Sequence, residues 1–139
     1  MSYKTKHFKL AELVNPSIIA ELGEINSWLR LDEGCLRDLD KIRELWGSQI
    51  IINLPSRQNA GVRPYTTGIG AKYSTHKNWN TFDLKAGNGK HWELWMFVHK
   101  LIKERVLSSF NTLEDRKHTP SWVHVAKMNT LEKPLVIKP

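Results

Sequence analysis

The 139-residue chain has one cysteine, no repeat and no long apolar run. A single cysteine, Cys35, excludes an internal disulfide, and its place before an apolar helical pattern predicts a small core residue rather than a nucleophile. The longest apolar stretch is far shorter than the roughly 20 residues of a membrane-spanning helix, so no membrane insertion is expected. The first ten residues are charged and lack the apolar centre of a secretory signal, so we expect synthesis in a cytoplasm.

Acidic residues are also scarce, with 14 Asp and Glu against 21 Lys and Arg, a net charge of +7 and a pI near 9.6. Such a charge favours an anionic partner, which could be nucleic acid, an anionic membrane or the phosphate-bearing polymers of a bacterial wall. The basic residues are scattered and no nucleic-acid-binding motif is visible, so no specific nucleic-acid partner is predicted. A solvated basic surface without a partner explains the charge equally well.

The remaining composition is that of one ordinary folded domain. Hydrophobic residues make up 40% and charged residues 25% of the chain, as in soluble globular proteins. We therefore predict a single, monomeric domain over residues 1–139, with a C-terminal tail over residues 128–139 that lies on the surface.

Hydrophobic spacing predicts an α+β domain, because helices and strands are mixed without strict βαβ alternation. The predicted helices lie at residues 17–30, 36–47 and 91–107, with a break at Gly34 before the second. The predicted strands lie at residues 49–54, 81–85 and 121–127, and polar loops cover residues 55–73 and 111–120.

Two histidines and an aspartate are associated with the last two predicted strands. His76 comes just before one strand, Asp83 lies on it, and His124 lies between two valines on the other. Two imidazoles and a carboxylate are a donor set of catalytic zinc sites, which keep a fourth position open. Zinc in such a site activates water and polarises a carbonyl group, as amide hydrolysis requires.

Spacing alone favours ordinary structural roles for these three residues. His76 could cap a turn, Asp83 could accept hydrogen bonds from backbone N–H groups, and His124 could be satisfied in the core. Six histidines in 139 residues produce such a His–Asp spacing by chance fairly often.

Several ordered segments extend the pattern. They are Gly61-Val62-Arg63-Pro64, Gly68-Ile69-Gly70-Ala71, Ser74-x-His76-x6-Asp83-Leu84 and Trp122-Val123-His124-Val125. In order and spacing they resemble the zinc D-Ala-D-Ala carboxypeptidases and L-alanyl-D-glutamate endopeptidases, a family that includes many phage endolysins. The opening residues 7–13 are similar to the start of some members, so the resemblance spans about residues 7–127.

The resemblance implies a small antiparallel sheet with flanking helices, of the Hedgehog and D-Ala-D-Ala-peptidase type. It also implies Zn²⁺-dependent hydrolysis of a peptide bond in peptidoglycan, by a carboxypeptidase or endopeptidase that acts at the cell wall, in the periplasm or as part of a phage particle. His76, Asp83 and His124 match the zinc ligands of the family. Arg63 matches the arginine that binds the substrate and steadies the oxyanion, although a solvent-exposed loop arginine is the alternative.

The resemblance also implies substrate contacts. Ser74 matches the motif serine, and Trp79 and Trp122 are candidates for the walls of the substrate cleft, although core packing explains tryptophans equally well. Trp79 and Thr81 stand where the family usually has Gly and Ala, and a bulky Trp79 would fill space near the metal or displace the loop.

The general base is not identified by the resemblance. Many members have an acid three residues before the last histidine or two residues after it, where this chain has Ser121 and Ala126. Asp115 and His118, in the preceding loop, are therefore the candidates for proton transfer, with ordinary loop residues as the alternative. The missing acids also leave open a catalytically inactive relative that binds wall peptide or serves as a structural phage protein.

Overall fold

The computed structural model describes residues 2–53, 60–63 and 79–138. The helices in these ranges are α1 (Leu10–Leu13), α2 (Pro16–Leu22), α3 (Glu24–Arg30), α4 (Glu33–Trp46) and α5 (His91–Lys103). The strands are β1 (Ile50–Ile51), β2 (Thr81–Ala86), β3 (Thr112–Glu114), β4 (Val123–Ala126) and β5 (Leu135–Ile137). This mixture confirms the predicted α+β class. None of these helices combines the length and the apolar character needed to cross a membrane.

The strands form one sheet in the order β1-β2-β4-β3-β5. Neighbouring strands are antiparallel except β3 and β5, which run parallel, so the prediction of an antiparallel sheet was wrong at this edge. The cause is the connection after β4, which reverses the chain and carries it past β3, so that β5 runs opposite to β4. The C-terminal tail is therefore partly an edge strand of the sheet.

Two glycines have structural roles that differ from the prediction. Gly23 has a φ of 85° and separates α2 from α3, where one continuous helix was predicted. Gly34 lies in the first turn of α4 rather than at a break, and a Cβ there would stand 1.9 Å from Ser109 Oγ. The predicted end of α4 is confirmed, because Gly47 caps the helix with a φ of 77°.

One apolar cluster joins the helices to one face of the sheet. Side chains alternate along each strand, and Phe82, Leu84, Val123 and Val125 are fully buried on this face. Helices α4 and α5 contribute the fully buried side chains Leu36, Leu39, Ile42, Leu94, Val98 and Ile102. Cys35 belongs to the same cluster, as predicted, and burial raises the pKa of its thiol.

The aromatic side chains of α5 are less buried than the helical pattern indicates. Trp95 packs against the core and stacks on His99 with ring centroids 5.1 Å apart. Trp92, however, is 49% exposed, and the Arg116 guanidinium lies 3.6 Å above its ring. The cation–π contact stabilises this half-exposed tryptophan on the surface of α5.

Asp32 connects the start of α4 to the end of β4. Its carboxylate accepts hydrogen bonds from Cys35 N at 3.0 Å, as a helix cap, and from Lys127 Nζ at 2.9 Å. Burial acts to raise the pKa of Asp32, but the hydrogen bonds from Lys127 and Cys35 together lower it below its ordinary value. A carboxylate with a lowered pKa stabilises the fold above its unfolded-state pKa, and this contribution is lost as the pH falls through the folded-state pKa.

We therefore expect Asp32→Ala to lower the free energy of unfolding by about 1 kcal/mol at neutral pH, the usual cost of losing a cap. The difference from the wild type should shrink strongly in acid, where the carboxyl group of the wild type is protonated. Urea unfolding at both pH values measures this, with Asp32→Asn as a control that keeps a capping oxygen. A difference that does not change with pH would contradict the expectation.

Candidate metal centre

Strand pairing brings three ionisable side chains into one row across the sheet. Asp83 on β2 is the register partner of His124 on β4. The pairing of Thr112 with Ala126 and Leu113 with Val125 sets Glu114 of β3 beside His124 on its other side. Since cross-strand partners share a face of a sheet, the imidazole of His124 lies between two carboxylates, opposite the apolar cluster.

The distances in this row are short. His124 Nδ1 lies 2.9 Å from Asp83 Oδ1 and 3.6 Å from Glu114 Oε2. The side chains of Asp83, His124 and Glu114 are 13%, 15% and 24% exposed, respectively. Glu114 is thus the most accessible of the three, and the limited solvent strengthens the electrostatic interactions among them.

Arg63 lies on the other side of Asp83. Its Nη2 atom is 3.9 Å from Asp83 Oδ2, and its side chain is only 10% exposed. Burial lowers the pKa of Arg63, and the negative charge of Asp83 offsets only part of this effect. Because arginine stays protonated in proteins, this part of the site combines a nearly buried positive charge with an acidic partner.

The backbone before Arg63 is fixed to the strand that carries Asp83. Ala60 N donates a hydrogen bond to Asn53 Oδ1 at 2.9 Å, and Ala60 O accepts one from Asp83 N at 2.7 Å. Asn53 is itself buried, so its hydrogen bond with Ala60 joins the residues on both sides of the segment 54–59 away from solvent.

A contact with the end of α1 fixes the same segment from its other side. Val62 N donates to Leu13 O at 2.8 Å, and Val62 O accepts from Asn15 N at 3.1 Å. Glycine is required at position 61, because a Cβ there would stand 2.1 Å from the Leu13 carbonyl oxygen. The Gly-Val-Arg motif therefore lies against the end of α1, and this contact fixes the position of the backbone at Arg63.

Two of the three predicted metal ligands come together in the structure. Asp83 and His124 are adjacent, whereas His76 and the predicted substrate contact Ser74 lie outside the described residues. Two ligands of one zinc ion, each bound at about 2.0–2.2 Å, lie roughly 3–3.5 Å apart, so the observed pair fits a shared ion after a small adjustment. Within residues 2–53, 60–63 and 79–138, no group of three or more His, Cys, Asp or Glu side chains could hold a metal ion.

The two tryptophans predicted to line a cleft are both partly buried. Trp79 has a φ of 66°, in the left-handed region that favours glycine. Its ring packs against the apolar cluster, and the Arg30 guanidinium lies 6.0 Å from the ring centroid. Trp122 immediately precedes β4 and so lies two residues from His124.

The two predicted proton-transfer residues lie in the turn after β3. Asp115 Oδ1 accepts a hydrogen bond from Lys117 N at 2.9 Å, and Asp115 O accepts one from His118 N at 2.9 Å. The hydrogen bond from Lys117 lowers the pKa of Asp115. A cleft of about 410 Å³ at this turn is lined by Trp95, Met96, His99, Asp115, Arg116, Lys117 and Val136.

Besides Asp83, the structure sets Glu114, rather than Asp115 or His118, beside His124. The sequence does not predict it, because β3 is only three residues long and lies in a polar segment. The sequence feature that could have indicated this strand is the alternation of Thr112, Leu113 and Glu114. The apolar Leu113 lies between two polar residues, which face the other side of the sheet.

No family model, curated protein or solved structure matches this chain. A functional proposal therefore depends on the arrangement of Arg63, Asp83, His124 and Glu114, together with the motif resemblance.

Proposed function

We propose that this protein is a zinc peptidase that hydrolyses a peptide bond in the stem or cross-link peptides of bacterial peptidoglycan. The observation that carries the proposal is the 2.9 Å contact between Asp83 and His124, which lie 41 positions apart in the chain. Both residues belong to the motifs that resemble the zinc peptidase family. The proposed place of action is the cell wall or periplasm, or a phage particle.

Asp83 and His124, together with His76, are the proposed zinc ligands. A carboxylate oxygen and imidazole nitrogens suit Zn²⁺, and the pair lies on neighbouring strands of a sheet, which hold ligands more precisely than loops do. When bound, zinc supplies Lewis-acid polarisation of a carbonyl group and lowers the pKa of water.

Arg63 is proposed to bind the carbonyl oxygen of the scissile bond. Its contact with Asp83 holds the guanidinium at the edge of the metal centre, and the fixed backbone of residues 60–63 limits its movement. A guanidinium donates paired hydrogen bonds and keeps its charge, so it can stabilise negative charge that develops on an oxygen. Because the side chain is 10% exposed, little water competes for these donors.

The backbone at Trp79 supports the resemblance independently of the ligands. The family usually has glycine at this position, and here the residue has the positive φ that glycine adopts without strain. A non-glycine residue in this conformation is uncommon, so its occurrence at this motif position favours a shared local backbone. The mixed sheet with flanking helices is compatible with a Hedgehog-type fold, which we propose here.

The net charge of +7 supports an anionic wall as the surface on which the protein acts. Basic proteins concentrate on anionic polymers through long-range attraction, which weakens as salt screens it. Sedimentation with purified sacculi should therefore decrease as the ionic strength rises.

Zinc content and hydrolysis test the proposal together. We expect about one zinc per chain after gentle purification and reconstitution, and release of new amino groups from purified sacculi. Metal analysis by mass spectrometry measures the first, and amine labelling measures the second. Less than about a tenth of an equivalent of zinc would count heavily against the proposal.

A second candidate is an inactive relative that binds wall peptide without cutting it. Ser121 and Ala126 favour this candidate, because they stand where the family commonly has an acid, and Ala126 is buried in the sheet. Bound zinc and sedimentation with sacculi, without any release of amines, is the result expected from such a protein.

A further inference from the structure

We propose that the cleft at the turn after β3 binds a phosphodiester polymer of the bacterial wall, through Arg116 and Lys117. Its volume of about 410 Å³ lies within the range of about 300–1,000 Å³ that is usual for ligand sites. The inference rests on the proposed place of action at the wall, but it depends neither on zinc nor on hydrolysis. It gives a binding role to a part of the molecule that lies outside the motifs.

The cleft lies on the opposite face of the sheet from Asp83 and His124. Val136 of β5 lines the cleft and is the register partner of Leu113, which is fully buried in the apolar cluster. Because cross-strand partners share a face, Val136 points to the side of α5, whereas His124 points to the other side. A polymer bound in the cleft would therefore leave the metal centre accessible.

Two tryptophans of α5 hold the guanidinium of Arg116 in one orientation. Its central carbon lies 3.6 Å from the ring centroid of Trp92 and 5.5 Å from that of Trp95. Trp95 is itself fixed, because its Nε1 atom donates a hydrogen bond to Glu114 O at 2.9 Å. In the part of the chain that the structure describes, no carboxylate forms an ion pair with this guanidinium. A stacked guanidinium keeps the N–H groups at its edge available, and its fixed orientation reduces the entropy lost when it binds an anion.

Positive charges outnumber negative ones around the cleft. The basic side chains are Lys103, Arg116, Lys117 and Lys138. Burial lowers the pKa of His99, and the positive charges of Lys103 and Arg116 lower it further. The one acid among the described lining residues is Asp115, whose Oδ1 atom accepts a hydrogen bond from Lys117 N at 2.9 Å. The local charge is therefore complementary to an anionic ligand.

The contacts of the aromatic rings favour a wall polymer over a nucleic acid. Single-stranded nucleic acids are held largely by bases that stack on aromatic side chains. Here Arg116 covers a face of Trp92, and the ring of His99 stacks on Trp95 at 5.1 Å. The cleft thus offers charge beside the exposed apolar side chain of Met96, which suits phosphates joined by short aliphatic units. Phosphate is also an anion whose geometry matches the paired donors of an arginine.

The test measures binding of the full chain to poly(glycerol phosphate) by isothermal titration calorimetry, with and without zinc. We expect Arg116→Gln to weaken binding by roughly tenfold or more, because hydrogen bonds between charged groups contribute strongly. Lys117→Gln should weaken binding less. Arg116→Lys should recover only part of the loss, because an ammonium group lacks the paired donors of a guanidinium.

Arg37→Gln is the matched control. Arg37 is also stacked on an aromatic ring, with its central carbon 4.3 Å from the ring centroid of Tyr3, and the variant loses the same charge. At about 0.15 M salt, which screens long-range attraction, it should bind within about twofold of the wild type. If Arg37→Gln and Arg116→Gln weaken binding equally, net charge alone attracts the polymer and the proposal is wrong.

Melting temperatures show whether the variants are folded. If Arg116→Gln is unfolded, Lys117→Gln decides the question, because Lys117 is exposed and its side chain can be replaced without disturbing the core. Unchanged affinity in a folded Lys117→Gln protein would then overturn the proposal.

A single-stranded oligonucleotide with the same number of phosphates separates the two sources of the anion. If it binds more tightly than poly(glycerol phosphate) and loses this affinity in Arg116→Gln, the ligand is a nucleic acid and the proposal is wrong. His124→Ala should bind the polymer as the wild type does, since His124 lies on the other face. Release of amines without polymer binding would overturn this inference alone, whereas polymer binding through Arg116 without release of amines would overturn only the proposed hydrolysis.

Discussion

Alanine in place of His124 is expected to lower zinc affinity by more than about 100-fold and to abolish the release of amines from sacculi. Loss of a residue that only supports a ligand already costs about 10–100-fold in metal affinity, so loss of a ligand should cost more. The remaining donors, Asp83 and the proposed His76, would leave the ion with too few protein ligands for a stable site. Zinc affinity is measured by competition with a chromophoric chelator.

The same variant separates a metal ligand from a core histidine. If the only role of His124 is its 2.9 Å hydrogen bond with Asp83, His124→Ala should lower the melting temperature by the same amount with and without zinc. If His124 is a ligand, zinc should raise the melting temperature of the wild type and have little effect on the variant, because a ligand that binds the folded state stabilises it.

His7→Ala is the matched control for this experiment. His7 is exposed and pairs with Glu44 at 3.1 Å, and it is not among the proposed site residues. The His7→Ala variant loses the same type of side chain at a position outside the site, so its zinc affinity and its activity should equal those of the wild type. A His124→Ala protein that still binds one zinc tightly would contradict the proposed metal centre.

Periodicity predicted the elements whose patterns are long. Helix α5 and strands β2 and β4 were all expected near their observed positions, because their buried residues recur at helical or alternate spacing. Val123 and Val125, which flank His124, are fully buried in the apolar cluster, so the histidine between them faces the other side of the sheet. The meeting of Asp83 and His124, in contrast, was expected only from the motif resemblance.

The elements that were missed depend on partners far away in the chain. Strands β3 and β5 have three residues each and gain their stability from pairing with each other and with β4. Such short segments carry little intrinsic preference, since strand formation depends mainly on neighbouring strands. Glu114 went unrecognised for this reason, because its place beside His124 exists only after β3 has paired.

A buried carboxylate on α4 was also not predicted. It holds the backbone of the turn that leads into β3. Asp38 is 1% exposed and accepts hydrogen bonds from three consecutive backbone N–H groups. The donors are Ser108 N at 3.1 Å, Ser109 N at 2.8 Å and Phe110 N at 2.8 Å. An aspartate within a helix pattern normally indicates an exposed position, so the sequence gives no sign that this residue closes a distant turn.

Asp38→Ala is expected to lower the free energy of unfolding by about 3–9 kcal/mol, because it leaves three backbone N–H groups without their acceptor at roughly 1–3 kcal/mol each. The total stability of a domain is about 5–15 kcal/mol, so the variant should be partly unfolded or should unfold at much lower urea concentration. Urea unfolding followed by tryptophan fluorescence measures this.

Glu33→Ala is the control for this prediction, because it removes an exposed carboxylate from the same helix and only a surface pair with Arg37 at 3.2 Å. It should cost less than about 1 kcal/mol. Asp38→Asn should fall between the two, since an amide keeps one acceptor oxygen but turns an N–H group toward a backbone donor. If Asp38→Ala is as stable as Glu33→Ala, then the turn that leads into β3 is held by other contacts, and the support of Glu114 would have to come from the pairing of β3 and from Trp95 alone.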